Sequence, residues 1–147
     1  MTVATCPLCA EAGGKMVFQA PAYRVIRAAE PGFPAFYRLV WKAHVREFTD
    51  LDADDRALCV EAVAQVELAL REVLSPTKIN LAALGNMVAH LHWHLIARFE
   101  EDSHFPGPVW AAALRSPDAG QIARLEALLP RVEKRIVERL QALMARV

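Results

Sequence analysis

The sequence predicts an α+β domain built on an antiparallel sheet. Three observations carry this. Short runs of aromatic and β-branched residues, bounded by Pro and Gly, fill the first third of the chain. A long amphipathic stretch with acidic residues at its start follows them. Two further strand-like runs then give way to a helical C-terminal region, with no regular βαβ alternation.

In chain order, residues 16–18, 23–27 and 35–41 read as strands, with Glu30-Pro31-Gly32-Phe33-Pro34 as a turn before the third. Thr49 or Asp50 is the expected N-cap of the long helix, and Asp52, Asp54 and Asp55 suit the positive end of its dipole. Leu51, Leu58, Ala62, Val66, Leu70 and Val73 fall near one stripe, and Pro76 stops the helix. Residues 79–84 and 87–96 read as two more strands, with Gly85-Asn86 as a tight turn between them. Ser116 is the expected cap of a first C-terminal helix, with Pro117 at its first position. Pro130 breaks that helix, and a second runs from about residue 131 to the end.

The chain of 147 residues is the size of one domain, and neither repeats nor low-complexity segments divide it. Its hydrophobic content of 54% is enough for a real core. Lys+Arg and Asp+Glu are 17 each. This zero balance argues against bulk electrostatic binding to nucleic acid or an anionic membrane, but not against a small phosphate ligand. The first residues lack the basic and apolar regions of a signal peptide, and no run approaches the ~20 apolar residues of a membrane helix. Three cysteines, an odd and low number, suggest reduced thiols and a cytoplasmic protein. Cys59 falls among the helical apolar positions and reads as a small core residue.

The chemistry centres on His90-Leu91-His92-Trp93-His94. On a strand, side chains alternate faces, so the three imidazoles share one side, and Leu91, Trp93 and Leu95 share the other. On a helix, successive histidines would be rotated by about 200° and would have no common face. Three imidazoles are costly as mere core, because each ring has a donor and an acceptor to satisfy. Two chemistries can use such a face. The rings can ligate a metal, or one can attack phosphorus while its neighbours bind phosphate oxygens and manage protons. Spacing alone does not choose between them.

This run with its flanks is similar to the His-φ-His-φ-His-φ-φ signature of the histidine-triad (HIT) family, where φ is apolar. Asn80 and Gly85-Asn86 resemble the family's Asn…Gly-Gln stretch upstream of the triad. Trp41-Lys42-Ala43-His44 resembles a strand end that supplies an additional histidine, and Cys6-Pro7-Leu8-Cys9 resembles the N-terminal Cys-x-x-Cys of many bacterial members. The likeness spans roughly residues 5–107 and leaves a helical extension at about 116–147. It implies a five-stranded antiparallel sheet with one long inserted helix and C-terminal helices. It also implies a homodimer and a nucleotide substrate attacked at its α-phosphorus. On that resemblance His92 is the nucleophile, and the backbone carbonyl of His90 orients it. His94 contacts the phosphate or leaving-group oxygen, Asn86 and Gly85 meet the phosphate, Asn80 shapes its pocket, and His44 lies in a network behind. The region of His104, Phe105 and Trp110 approaches the leaving group or the nucleotide edge. Asn86 departs from the usual Gln, which is one methylene longer. Ala97 stands before Arg98 where many members have Pro. Glu30 is the nearest candidate for the family's ribose-binding acid.

Cys6-x-x-Cys9 has the spacing of the first half of a zinc site, which needs about four ligands. The resemblance nominates His44 and His90 to complete a structural Cys₂His₂ site, which would reserve the His90 side chain for metal. A reduced, metal-free pair is the alternative, and catalysis itself requires no cofactor. Two other readings stand beside the hydrolase: a nucleotide-binding module with little turnover, and a metalloenzyme ligated by His90, His92 and His94.

Overall fold

The computed structural model describes residues 1–147. Five strands form one antiparallel sheet: β1 (Lys15–Gln19), β2 (Tyr23–Arg27), β3 (Phe36–Trp41), β4 (Lys78–Ala82) and β5 (His92–Arg98), in the order β1-β2-β3-β5-β4. Three helices accompany it: the single turn α1 (Pro7–Ala10), the long α2 (Ala53–Leu74) between β3 and β4, and α3 (Ala119–Met144). The α+β, antiparallel expectation therefore holds, with the long helix inserted where the sequence places it.

The pleat divides the sheet's side chains cleanly. Val25, Tyr37, Leu39 and Leu95 point to one face and are buried with Ala62, Val66 and Leu70 of α2 and Val132, Ile136 and Leu140 of α3. At about 25 cal/mol per Å² of apolar surface removed from water, this two-helix cover is the main stabilising layer. The opposite face carries Ile26, Val40, Phe36 and Ile96 in two small clusters, together with His92 and His94. Only the α1 turn and the loops after β2, β4 and β5 cover that face, which leaves room for a site.

Four boundaries differ from those expected. The cap of α2 is Asp52, whose carboxylate accepts from Asp55 N at 2.9 Å. Asp50 instead closes a preceding 3-10 turn by accepting from the backbone of Arg46 and Glu47. Residues 83–91 are a loop, not a tight turn and the start of a strand. Gly85 sits at φ 72°, and Leu91 alone bridges outward, accepting from Trp41 N and donating to Val45 O. The C-terminal region is one helix, capped by Asp118, which accepts from Gln121 N at 3.0 Å; Ser116 and Pro117 precede it. Pro130 lies inside that helix. The cost of an internal proline, about 3 kcal/mol, is borne because Leu125, Leu129, Val132, Ile136, Leu140 and Leu143 continue one buried stripe across it. No helix is long and apolar enough to cross a membrane.

Candidate active site

β5 carries His92 and His94 on the face that the helices leave open. The register sets Val40 of β3 opposite His92 and Arg38 opposite His94. Both imidazoles are buried, and their ring centroids lie 5.0 Å apart. His92 Nδ1 is 2.6 Å from the backbone carbonyl of His90. A carbonyl only accepts, so Nδ1 carries the proton and Nε2 keeps the lone pair. At His94 the roles reverse. Arg38 Nε donates to His94 Nδ1 at 3.5 Å, and an arginine cannot accept, so the His94 proton sits on Nε2. One strand thus presents a free nitrogen lone pair and an N–H donor side by side.

The electrostatics keep both rings neutral. Burial lowers the His94 pKa to about 4, and the adjacent His92 ring and Arg38 guanidinium further oppose a positive charge there. Burial likewise lowers His92, against the partial compensation of the His90 carbonyl. A cavity of about 530 Å³ opens over them, lined by His92, His94, Arg38, Gly85, Asn86 and Trp110, with Pro7 and Leu8 of α1 on another side. The Trp110 ring lies 5.1 Å from that of His94. A larger groove of about 780 Å³, against β1 and α3, holds none of the histidines.

His90 leaves the shared face. It precedes β5, and its ring turns to the far side of the α1 turn, where Cys6, Cys9, His44 and His90 bring one ligand atom each to within 4.8 Å of one another. His90 Nδ1 is 3.4 Å from Cys6 Sγ, 3.5 Å from Cys9 Sγ and 3.2 Å from His44 Nδ1; Cys9 Sγ to His44 Nδ1 is 3.3 Å. Tetrahedral zinc bonds of about 2.3 Å to sulfur and about 2.0–2.1 Å to nitrogen span edges of about 3.3–3.8 Å. The four donors are therefore already close to the spacing of a metal's coordination shell. His90 Nε2 donates to Trp41 O at 2.6 Å, which leaves Nδ1 as the lone pair aimed at the thiols. Arg24 ties the turn down from behind, donating to the carbonyls of Leu8, Glu11 and Ala12. Neither His92 nor His94 belongs to this group, so the three triad histidines do not converge on one metal.

The remaining candidates are spread. Asn86 and Gly85 line the triad cavity. Asn80 lies one strand away, where its Oδ1 accepts from Arg98 Nη1 at 2.8 Å, and it does not line the cavity. Glu30 reaches the site only through Arg38, at 3.4 Å, and lines the separate groove. His104 bonds Ser103 Oγ at 2.7 Å and packs near Phe33, away from the cavity. Cys59 is buried in the core as read.

Sequence reasoning missed Arg38, and the alternation Phe36-Arg38-Val40 is the signal that could have found it. It also missed the Arg98–Asp102 pair. Arg98 Nε lies 2.8 Å from Asp102, which also accepts from the backbone of Phe99, His104 and Phe105. That knot shapes the loop that carries Trp110 over His94.

Residues 10–101 match the model of the HIT domain. A histidine triad protein from Bradyrhizobium japonicum shares 31% identity over 82% of this chain and 90% of its own, with a TM-score of 0.65. A histidine triad protein from Sinorhizobium meliloti shares 28% over 91% and 99%, with a TM-score of 0.69. A Zn-bound histidine triad family protein from Mycobacterium smegmatis shares 21% over 90% and 99%, with a TM-score of 0.59, and so shares the fold. Among curated proteins none gives a significant match.

Proposed function

The chain belongs to the histidine-triad family, and on that footing we propose that it is a nucleotide hydrolase or nucleotidyl transferase whose nucleophile is His92. The observation that carries this is the 2.6 Å bond from His92 Nδ1 to the His90 carbonyl, inside a cavity of ligand size. It fixes the one tautomer whose Nε2 lone pair is free to attack.

The lone pair of His92 Nε2 forms a bond to the α-phosphorus. The bond from phosphorus to the leaving group breaks, and its electron pair departs on the leaving atom. His94 Nε2–H donates to that atom or to a phosphate oxygen, while Asn86 and the Gly85 backbone meet the remaining oxygens. Water then adds to phosphorus, its proton passing to His94 Nε2 to replace the one carried off by the leaving group, and the P–N electron pair returns to His92 Nε2. Dividing one displacement into two is the usual gain of covalent catalysis.

Cys6, Cys9, His44 and His90 are assigned to a structural zinc. The donor set and its spacing support this, and such a closed four-ligand site offers no open position for substrate. A homodimer is assigned to the β4 edge. That strand has no neighbour on its outer side, and Leu81, Leu84 and Met87 along and beyond it are exposed. Three cysteines without a disulfide suit a reducing compartment such as the cytoplasm.

The test is turnover of adenosine phosphoramidate and a diadenosine polyphosphate by wild type, His92→Ala and His94→Asn, with metal content measured alongside. Loss of turnover in His92→Ala at unchanged metal content supports the reading. Nucleotide binding without turnover by the wild type would replace it with a binding module.

A further inference from the structure

We propose that Arg38 is a specificity-determining residue that binds a phosphate of the leaving group, and so selects substrates that expel a phosphorylated leaving group over phosphoramidates. The proposal rests on the reading of His92 as nucleophile.

Four observations lead to it. Arg38 is the sole cationic side chain among the residues that line the triad cavity. Its position is set by the sheet, opposite His94 and diagonal to His92, on the side where His94 faces the departing group. Its guanidinium is underused. Of five N–H groups, one reaches His94 at 3.5 Å and one reaches Glu30 at 3.4 Å, and the other three have no protein acceptor. Glu30 is a weak competitor, with its side chain 40% exposed at the end of a long contact. Arg38 itself is only 24% exposed and is steadied by the Phe36 ring, 5.5 Å below.

A half-buried guanidinium with spare donors, beside a site for one phosphate, suits a second phosphate on the same substrate. A dinucleoside polyphosphate supplies it. Its leaving group is itself a nucleoside phosphate, and the negative charge on that group grows as the bridging P–O bond breaks. A phosphoramidate expels ammonia or an amine and offers nothing for Arg38 to hold.

The test compares wild type, Arg38→Met and Arg38→Lys in two assays. Calorimetry measures AMP and ADP, which differ by the β-phosphate alone. Wild type is expected to bind ADP at least about tenfold more tightly than AMP, as one charge-assisted contact provides. Arg38→Met abolishes the difference and Arg38→Lys retains part of it. In kinetics, Arg38→Met lowers kcat/KM for diadenosine triphosphate at least about tenfold more than for adenosine phosphoramidate. An unchanged ADP:AMP ratio in Arg38→Met, or an equal loss on both substrates, overturns the proposal. A wild type that turns over neither substrate refutes the hydrolase reading, while the binding ratio still decides the role of Arg38.

Discussion

At the scale of the residue, two histidines two positions apart are given opposite tautomers by two different partners. The His90 carbonyl leaves the His92 Nε2 lone pair free, as the proposed nucleophile requires, and Arg38 leaves His94 an Nε2–H donor. Replacing His92 with Ala should lower kcat by on the order of 10³-fold or more, with no change in metal content by elemental analysis. The buried rings also tie stability to pH. His94 has a pKa of about 4 in the folded chain against about 6.5 unfolded, so the unfolded chain takes up this proton first as pH falls. Stability from this ring is complete above about pH 6.5 and is lost progressively towards about pH 4, by up to about 3 kcal/mol. Denaturant midpoints measured between pH 7.5 and 5 should fall in wild type and fall less in His94→Asn. The triad was legible because alternation on a strand is a strong pattern. Arg38 was not, since its role depends on the β3–β5 register, which a lone charged residue in an apolar run does not reveal.

At the scale of the element, α1 does two things at once. Cys6 and Cys9 place it against His44 and His90, and Pro7 and Leu8 wall the triad cavity. Cys9→Ser should therefore reduce bound zinc and also raise KM by roughly tenfold, equivalent to about 1.4 kcal/mol, as the wall loosens. A variant that loses zinc with KM unchanged would separate the two roles. The loop after β5 has a different anchor. Burial pushes the Asp102 carboxyl up, but Arg98 and three backbone N–H groups outweigh that and hold it below the usual range. Asp102→Ala leaves Arg98 buried without its partner and should cost about 3–5 kcal/mol in chemical unfolding. The elements that sequence placed least well were those with a rule broken by tertiary contact. Pro130 argued for two helices, yet the apolar stripe of α3 spans it. The run 87–91 looked strand-like, yet His90 is drawn out of the sheet to the cysteines.

At the scale of the whole molecule, the two faces of one sheet divide the labour. Helices α2 and α3 bury one face and supply the stability, which leaves the other to loops and chemistry. This division was readable in advance, because Leu91, Trp93 and Leu95 alternate with the histidines. Which edge of the sheet is left free was not, since an exposed edge becomes visible only once the strand order is known. If β4 is the dimer edge, Leu81→Lys should shift the chain from dimer to monomer in sedimentation velocity, with the circular dichroism spectrum unchanged.

A covalent bond between His92 and phosphorus is most directly visible by intact-protein mass spectrometry after brief incubation with adenosine phosphoramidate or a diadenosine polyphosphate. A transient adenylyl adduct is expected on wild type and not on His92→Ala. Rapid turnover with no adduct at any time point, or an adduct that persists in His92→Ala, would contradict it.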